Sequence, residues 1–118
     1  MRPVWSLGGW LLVVWAAATP CAQAHAHLQA SIPRDGSTLG TAPAALVLQF
    51  SEAARLTALW IEKSGGEKQT LTPLPPEPRS RIAVPLPKLA PGEYVVSWRV
   101  LGGDGHVAPG KIRFTLSR

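Results

Sequence analysis

Histidine is scarce in this 118-residue chain, and its three copies, His25, His27 and His106, are unevenly placed. The first two directly follow the small-residue stretch Ala22-Gln23-Ala24. The third closes Asp104-Gly105-His106 inside a glycine-rich segment. Cutting the chain after Ala24 makes His25 the first residue, and it then offers two nitrogens at once. Its α-amine and the Nδ1 of its ring can close one chelate ring on a metal ion. A carboxylate and a second imidazole complete a square set of three nitrogens and one oxygen. Asp104 and His106 are two residues apart, so in an extended segment both side chains point the same way and one loop supplies both donors. Tetragonal N,O coordination suits Cu(II), which also heads the divalent affinity series. Softer Cu(I) favours thiolate and thioether ligands, but the single cysteine, Cys21, and the single methionine, Met1, both precede the cut. A structural zinc site asks for four side-chain donors, usually including cysteine or several histidines. The residues therefore point to one Cu(II) ion per chain, held by His25, Asp104 and His106. An isolated surface histidine or an Asp-Gly turn is commonplace. The weight lies in their conjunction, because one processing site and one loop account for every imidazole.

The elements that must position these donors begin with a segment to be discarded. Arg2 provides a positive start, an apolar run follows from Val4 to Ala18, and Ala22-Gln23-Ala24 has the small-residue form of a cleavage site. This is the pattern of a secretory signal peptide over residues 1–24. The apolar run is shorter than the roughly 20 residues of a membrane-spanning helix, so no span is expected in the mature form. Pro20 directly before Cys21, with no leucine three residues upstream, argues against lipidation there. Residues 25–118 are then one small domain without a disulfide, stabilised by packing alone.

That domain reads as strands throughout. Leu28, Ala30 and Ile32 alternate with polar residues, and Pro33-Arg34-Asp35-Gly36 marks a turn. Leu46, Leu48 and Phe50 alternate next. Thr57–Lys63 is a further strand, joined by Ser64-Gly65-Gly66 to Glu67–Thr72. Four prolines between residues 73 and 78 demand an irregular connection. Ile82, Val84 and Leu86 alternate, then Tyr94, Val96, Trp98 and Val100, then Ile112, Phe114 and Leu116. About seven short strands at regular spacing, without an amphipathic helix, predict an all-β Greek-key sandwich of immunoglobulin-like type. Gly92-Glu93-Tyr94 has the look of a tyrosine corner. Trp98 belongs to the core on this pattern, and neither it nor Trp60 is assigned a role in chemistry.

Taken together, these motifs resemble the CopC-type copper-binding proteins over nearly all of residues 25–118. The residues carrying the likeness are His25-Ala26-His27-Leu28, Ser31-Ile32-Pro33, Asp35-Gly36-Ser37, Ala42-Pro43 and Phe50-Ser51-Glu52. They continue with Pro91-Gly92-Glu93-Tyr94, Trp98-Arg99-Val100, Asp104-Gly105-His106 and Gly110. The resemblance implies a periplasmic seven-stranded sandwich whose Cu(II) ligands fall on His25, Asp104 and His106. It also implies an acidic residue just outside the ligand set, which falls on Glu52, where a plain strand-end carboxylate is the competing reading. His27 has no fixed role in the family. It either faces solvent or, as a third-residue histidine, offers a competing amino-terminal copper mode, and the period-two pattern favours solvent. Many relatives place proline directly after the loop histidine, whereas here Val107 follows His106 and the proline is Pro109. The missing thioethers exclude the methionine-rich Cu(I) site that some relatives add.

The expected function is copper homeostasis or resistance in the periplasm, by binding rather than catalysis, with an inner-membrane copper permease as the expected recipient. A copper-dependent redox enzyme using an N-terminal histidine is the alternative, although Asp104 fills the position such enzymes keep open for oxygen. A metal-free interaction module is the third reading. The net charge of +5 comes from lysines and arginines scattered singly, which suits a solvated surface and gives no nucleic-acid partner. A monomer is expected. Amine and imidazole must lose protons to bind metal, so affinity should fall steeply from neutral pH toward about pH 5.

Overall fold

The computed structural model describes residues 26–117. The expected signal peptide and His25 lie outside the described residues. Seven strands and no helix make up the described chain: β1 (Leu28–Ile32), β2 (Ser37–Leu39), β3 (Ala45–Lys63), β4 (Lys68–Thr70), β5 (Arg79–Pro85), β6 (Gly92–Gly102) and β7 (Val107–Leu116). No helix among the described residues is long and apolar enough to cross a membrane.

The fold is an all-β sandwich, and β3 is its backbone. The two strands expected at 46–50 and 57–63 are one continuous strand, because nothing between Ser51 and Leu56 breaks it: the segment has neither proline nor glycine. Its first part, Ala45–Gln49, pairs with β5 on one side, and Val47–Phe50 pairs with β1 on the other. Its second part, Ala54–Lys63, pairs with β6, and Trp60–Glu62 pairs with β4. One strand thus serves both layers. The strand count still reaches seven because β2 was not foreseen. Its three residues are too few to show a period, and it runs parallel to β7. The preceding turn holds it there: the Arg113 N–H donates to Asp35 Oδ1 at 2.9 Å and the Gly36 N–H donates to the Arg113 carbonyl at 2.6 Å.

The core lies between the layers. Leu46, Leu48, Phe50, Ile82 and Val84 face Leu59, Ile61, Tyr94, Val96, Trp98, Val100, Ile112, Phe114 and Leu116, all buried. Phe50 meets Trp98 edge-on, with ring centroids 6.2 Å apart. The buried set of β6 and β7 follows the alternation of the sequence. In β3 the buried parity switches from Leu56 to Leu59, because Thr57 is an extra residue opposite the Val100–Arg99 step. The Thr57 hydroxyl donates to the Arg99 carbonyl at 3.2 Å across that bulge.

In β1 the alternation misleads. Ser31 is buried while Ile32 is 50% exposed, the reverse of the pattern in sequence. A bulge at Gln29, between the Leu28–Phe50 and Ala30–Gln49 pairs, turns the rest of the strand over. The buried Ser31 hydroxyl donates to the Pro33 carbonyl at 2.7 Å, which satisfies the polar group the bulge has carried inward. The expected tyrosine corner is present, with Tyr94 donating its phenol O–H to the Ala90 carbonyl four residues upstream.

Candidate metal centre

Strands β6 and β7 pair as far as Leu101 and Val107, and a tight hairpin closes them. The Gly102 N–H donates to the His106 carbonyl and the Gly105 N–H to the Gly102 carbonyl, each at 3.0 Å. Gly105 has φ +85° with open space where a Cβ would stand, so the backbone conformation rather than crowding calls for glycine. Asp104 completes the turn by accepting the His106 N–H on Oδ1 at 3.0 Å. Its other oxygen, Oδ2, lies 3.1 Å from His106 Nδ1. The two side chains do share a side, as expected, but by a different route. A glycine at positive φ and an Asp-capped turn bring them together, not an extended segment. The His106 side chain is 72% exposed and that of Asp104 only 20%, so the imidazole is the more open of the two groups at this rim.

The N-terminal segment reaches the same end of the sandwich. Ser51 clamps His27 from both sides: the His27 N–H donates to Ser51 Oγ at 2.9 Å, and the Ser51 N–H donates to the His27 carbonyl at 2.8 Å. The residue is exposed, in line with the solvent-facing expectation. Ala26, just before it, is only 7% exposed and belongs to the core cluster. It lines an apolar cleft of about 310 Å³ with Phe50, Trp98, Val100, Ala108 and Pro109. Ala108 and Pro109 follow His106 by two and three residues, so this cleft lies against the root of the donor hairpin. Gly110 leaves room for the indole that lines this cleft, because a Cβ there would stand about 2.5 Å from the Trp98 ring. Glu52 is half-buried and shares the inward parity of Phe50 and Ala54.

Of the five candidates, the fold sets Asp104 and His106 side by side and brings His27 against Ser51, the residue before Glu52. His25 lies outside the described residues. Among the described residues no group of three or more His, Cys, Asp or Glu side chains is gathered tightly enough to hold a metal. Asp104 and His106 are thus two neighbouring donors, fewer than a metal centre requires. The part Ser51 plays is not legible in the sequence. A serine in a strand carries no signal of a main-chain clamp, since the partner is 24 residues away.

The model of the CopC domain matches residues 28–117. The chain is 30% identical over 110 residues to protein YobA of Escherichia coli, covering 89% of each. It is 32% identical over 112 residues to copper resistance protein C of Escherichia coli, covering 80% of this chain and 83% of the relative. Among solved structures, CopC from Methylosinus trichosporium superposes with a TM-score of 0.68 at 28% identity, over 79% of this chain and 94% of that one. PcoC, a methionine-rich copper resistance protein from Escherichia coli, gives a TM-score of 0.58 at 28% identity, over 80% and 100% of the two chains.

Proposed function

This chain belongs to the CopC family, a family of copper-binding copper resistance proteins, and on that premise we propose that it holds one Cu(II) ion between its processed N-terminus and the β6–β7 hairpin. The ligands in this reading are the α-amine and ring of His25, a carboxylate oxygen of Asp104 and the ring of His106. Glu52 supports them from the rim of the core. The observation that carries the reading is the 3.1 Å separation of Asp104 Oδ2 and His106 Nδ1. Two neighbouring donors, each roughly 2.0 Å from one square-planar ion, lie about 2.8 Å apart. The pair therefore stands almost at ligand spacing. Burial of Ala26 supports the other half, because it anchors the residue after His25 beside the root of the same hairpin.

The donor chemistry supports the cupric ion. No cysteine or methionine follows residue 25, so nothing in the domain offers Cu(I) the sulfur ligands it prefers. PcoC, by contrast, is described as methionine-rich. An exposed half-site suits reversible capture and release in an oxidising compartment. The periplasm fits both the family and the leader-like residues 1–24, and an inner-membrane copper permease is a fitting recipient.

Electron paramagnetic resonance of the exported protein with one equivalent of Cu(II) tests the site. His106→Ala, or one extra residue ahead of His25, should each weaken binding at least about a hundredfold, or roughly 2.7 kcal/mol, and alter the nitrogen splitting. An unchanged spectrum and affinity in either variant would falsify the assignment.

A further inference from the structure

Resting on the reading of His25 as a copper ligand, we propose that Ser51 is a positioning residue that decides which copper complex the N-terminus can form. A chain that begins His25-Ala26-His27 carries a second chelate within its own first three residues. The α-amine, the amide nitrogens of Ala26 and His27 and the ring of His27 can together enclose a cupric ion in a four-nitrogen square. Each amide nitrogen then binds in place of its hydrogen, which leaves to water as a proton. Both complexes use the same amine, so they exclude one another, and the four-nitrogen one needs nothing from Asp104 or His106.

The fold removes that rival by engaging its main chain. The nitrogen the rival most needs, that of His27, donates to Ser51 Oγ at 2.9 Å. The Ser51 N–H returns a bond to the His27 carbonyl at 2.8 Å, so the peptide groups on both sides of the His27 Cα are held against β3. The next rung, Leu28 opposite Phe50, begins the ladder proper. Ala26 is packed into the core cluster and would have to leave it for the first three residues to wrap an ion. The block described here therefore acts on the main chain of the first residues. The hydroxyl of one otherwise exposed serine keeps the backbone in the sheet and leaves the amine to combine with the hairpin donors.

The test uses exported, processed protein whose first residue is verified by mass spectrometry, with one equivalent of Cu(II), read by electron paramagnetic resonance and visible absorption. In the wild-type background His27→Ala should leave both spectra unchanged, and His106→Ala should alter them. Ser51→Ala should add a second component with four-nitrogen splitting and a shorter-wavelength absorption band. Ser51→Ala combined with His27→Ala should lose that component, and Ser51→Thr, which keeps the hydroxyl, should match wild type. Without copper, exchange of the His27 amide hydrogen should quicken roughly fivefold in Ser51→Ala, as loss of one net hydrogen bond implies. Should Ser51→Ala not fold, Ser51→Val, which keeps the shape of the tolerated Ser51→Thr but lacks its hydroxyl, should show the same His27-dependent component. The proposal is overturned if His27→Ala perturbs the native spectrum, or if folded Ser51→Ala recruits no His27-dependent component. A spectrum indifferent to His106→Ala sinks the copper-site reading itself. Dependence on His106 without recruitment of His27 in Ser51→Ala sinks only the role of Ser51.

Discussion

At its first residues β6 enters through a corner where Tyr94, 5% exposed, stacks on Phe114 at 5.4 Å and donates to the Ala90 carbonyl. At its last residues it leaves into a hairpin where Asp104 and His106 stand at an exposed rim. Gly102 lies eight steps along the strand from Tyr94, roughly 26 Å of one sheet. At the corner a polar group is buried and satisfied, so its removal is felt as lost stability. At the hairpin, side-chain placement comes from main-chain hydrogen bonds and the sign of one glycine φ, with little packing on the imidazole. A satisfied polar group is buried at one end, and an imidazole and a carboxylate are presented near solvent at the other. The apolar cleft beneath Ala26 is where the two meet.

Trp98→Ala breaks that separation and should have the largest effect. It removes a buried indole that packs on Phe50 and Gly110, at about 3–5 kcal/mol by denaturant unfolding. It should also weaken copper binding, because the indole lines the seat of Ala26; unchanged affinity would show that the N-terminal segment is held without the cleft. Tyr94→Phe sharpens the contrast from the far end. It leaves the Ala90 carbonyl without its phenol donor at a cost of about 1–2 kcal/mol, while the copper resonance spectrum should match wild type. Ile32→Ser has the smallest expected effect, within about 0.5 kcal/mol, because the bulge at Gln29 has turned this side chain to solvent. A cost near that of a buried isoleucine would show that β1 pairs in the unbulged register.

How far the fold could be read from the residues differs by strand. In β6 and β7 the buried set is the alternating apolar set, because each lies within a ladder that enforces period two from end to end. The tyrosine corner was legible because its acceptor lies four residues upstream. Strand β1 was misread because a bulge leaves no mark on composition yet exchanges the two faces. The union of two expected strands into β3 and the parallel pairing of β2 were hidden for a related reason, since both depend on which distant segment lies alongside. At the site, Asp104 and His106 were evident as donor types at a short spacing. Their route to a shared side, through an Asp-capped turn with Gly105 at positive φ, was not.

Local chemistry on the chain was enough to determine the donor inventory. It yields imidazoles and carboxylates after residue 25, no sulfur, and a hairpin signal at Gly102–His106. Those properties reside in residue types and near neighbours, which a linear string records directly. Tertiary structure alone decided that Ala26 is buried beside the hairpin root, that Gly110 is vacated for the Trp98 indole, and that Ser51 grips the main chain of His27. Each of these joins residues far apart in sequence, and the energy that favours such a contact exists only once the sheets have closed around it.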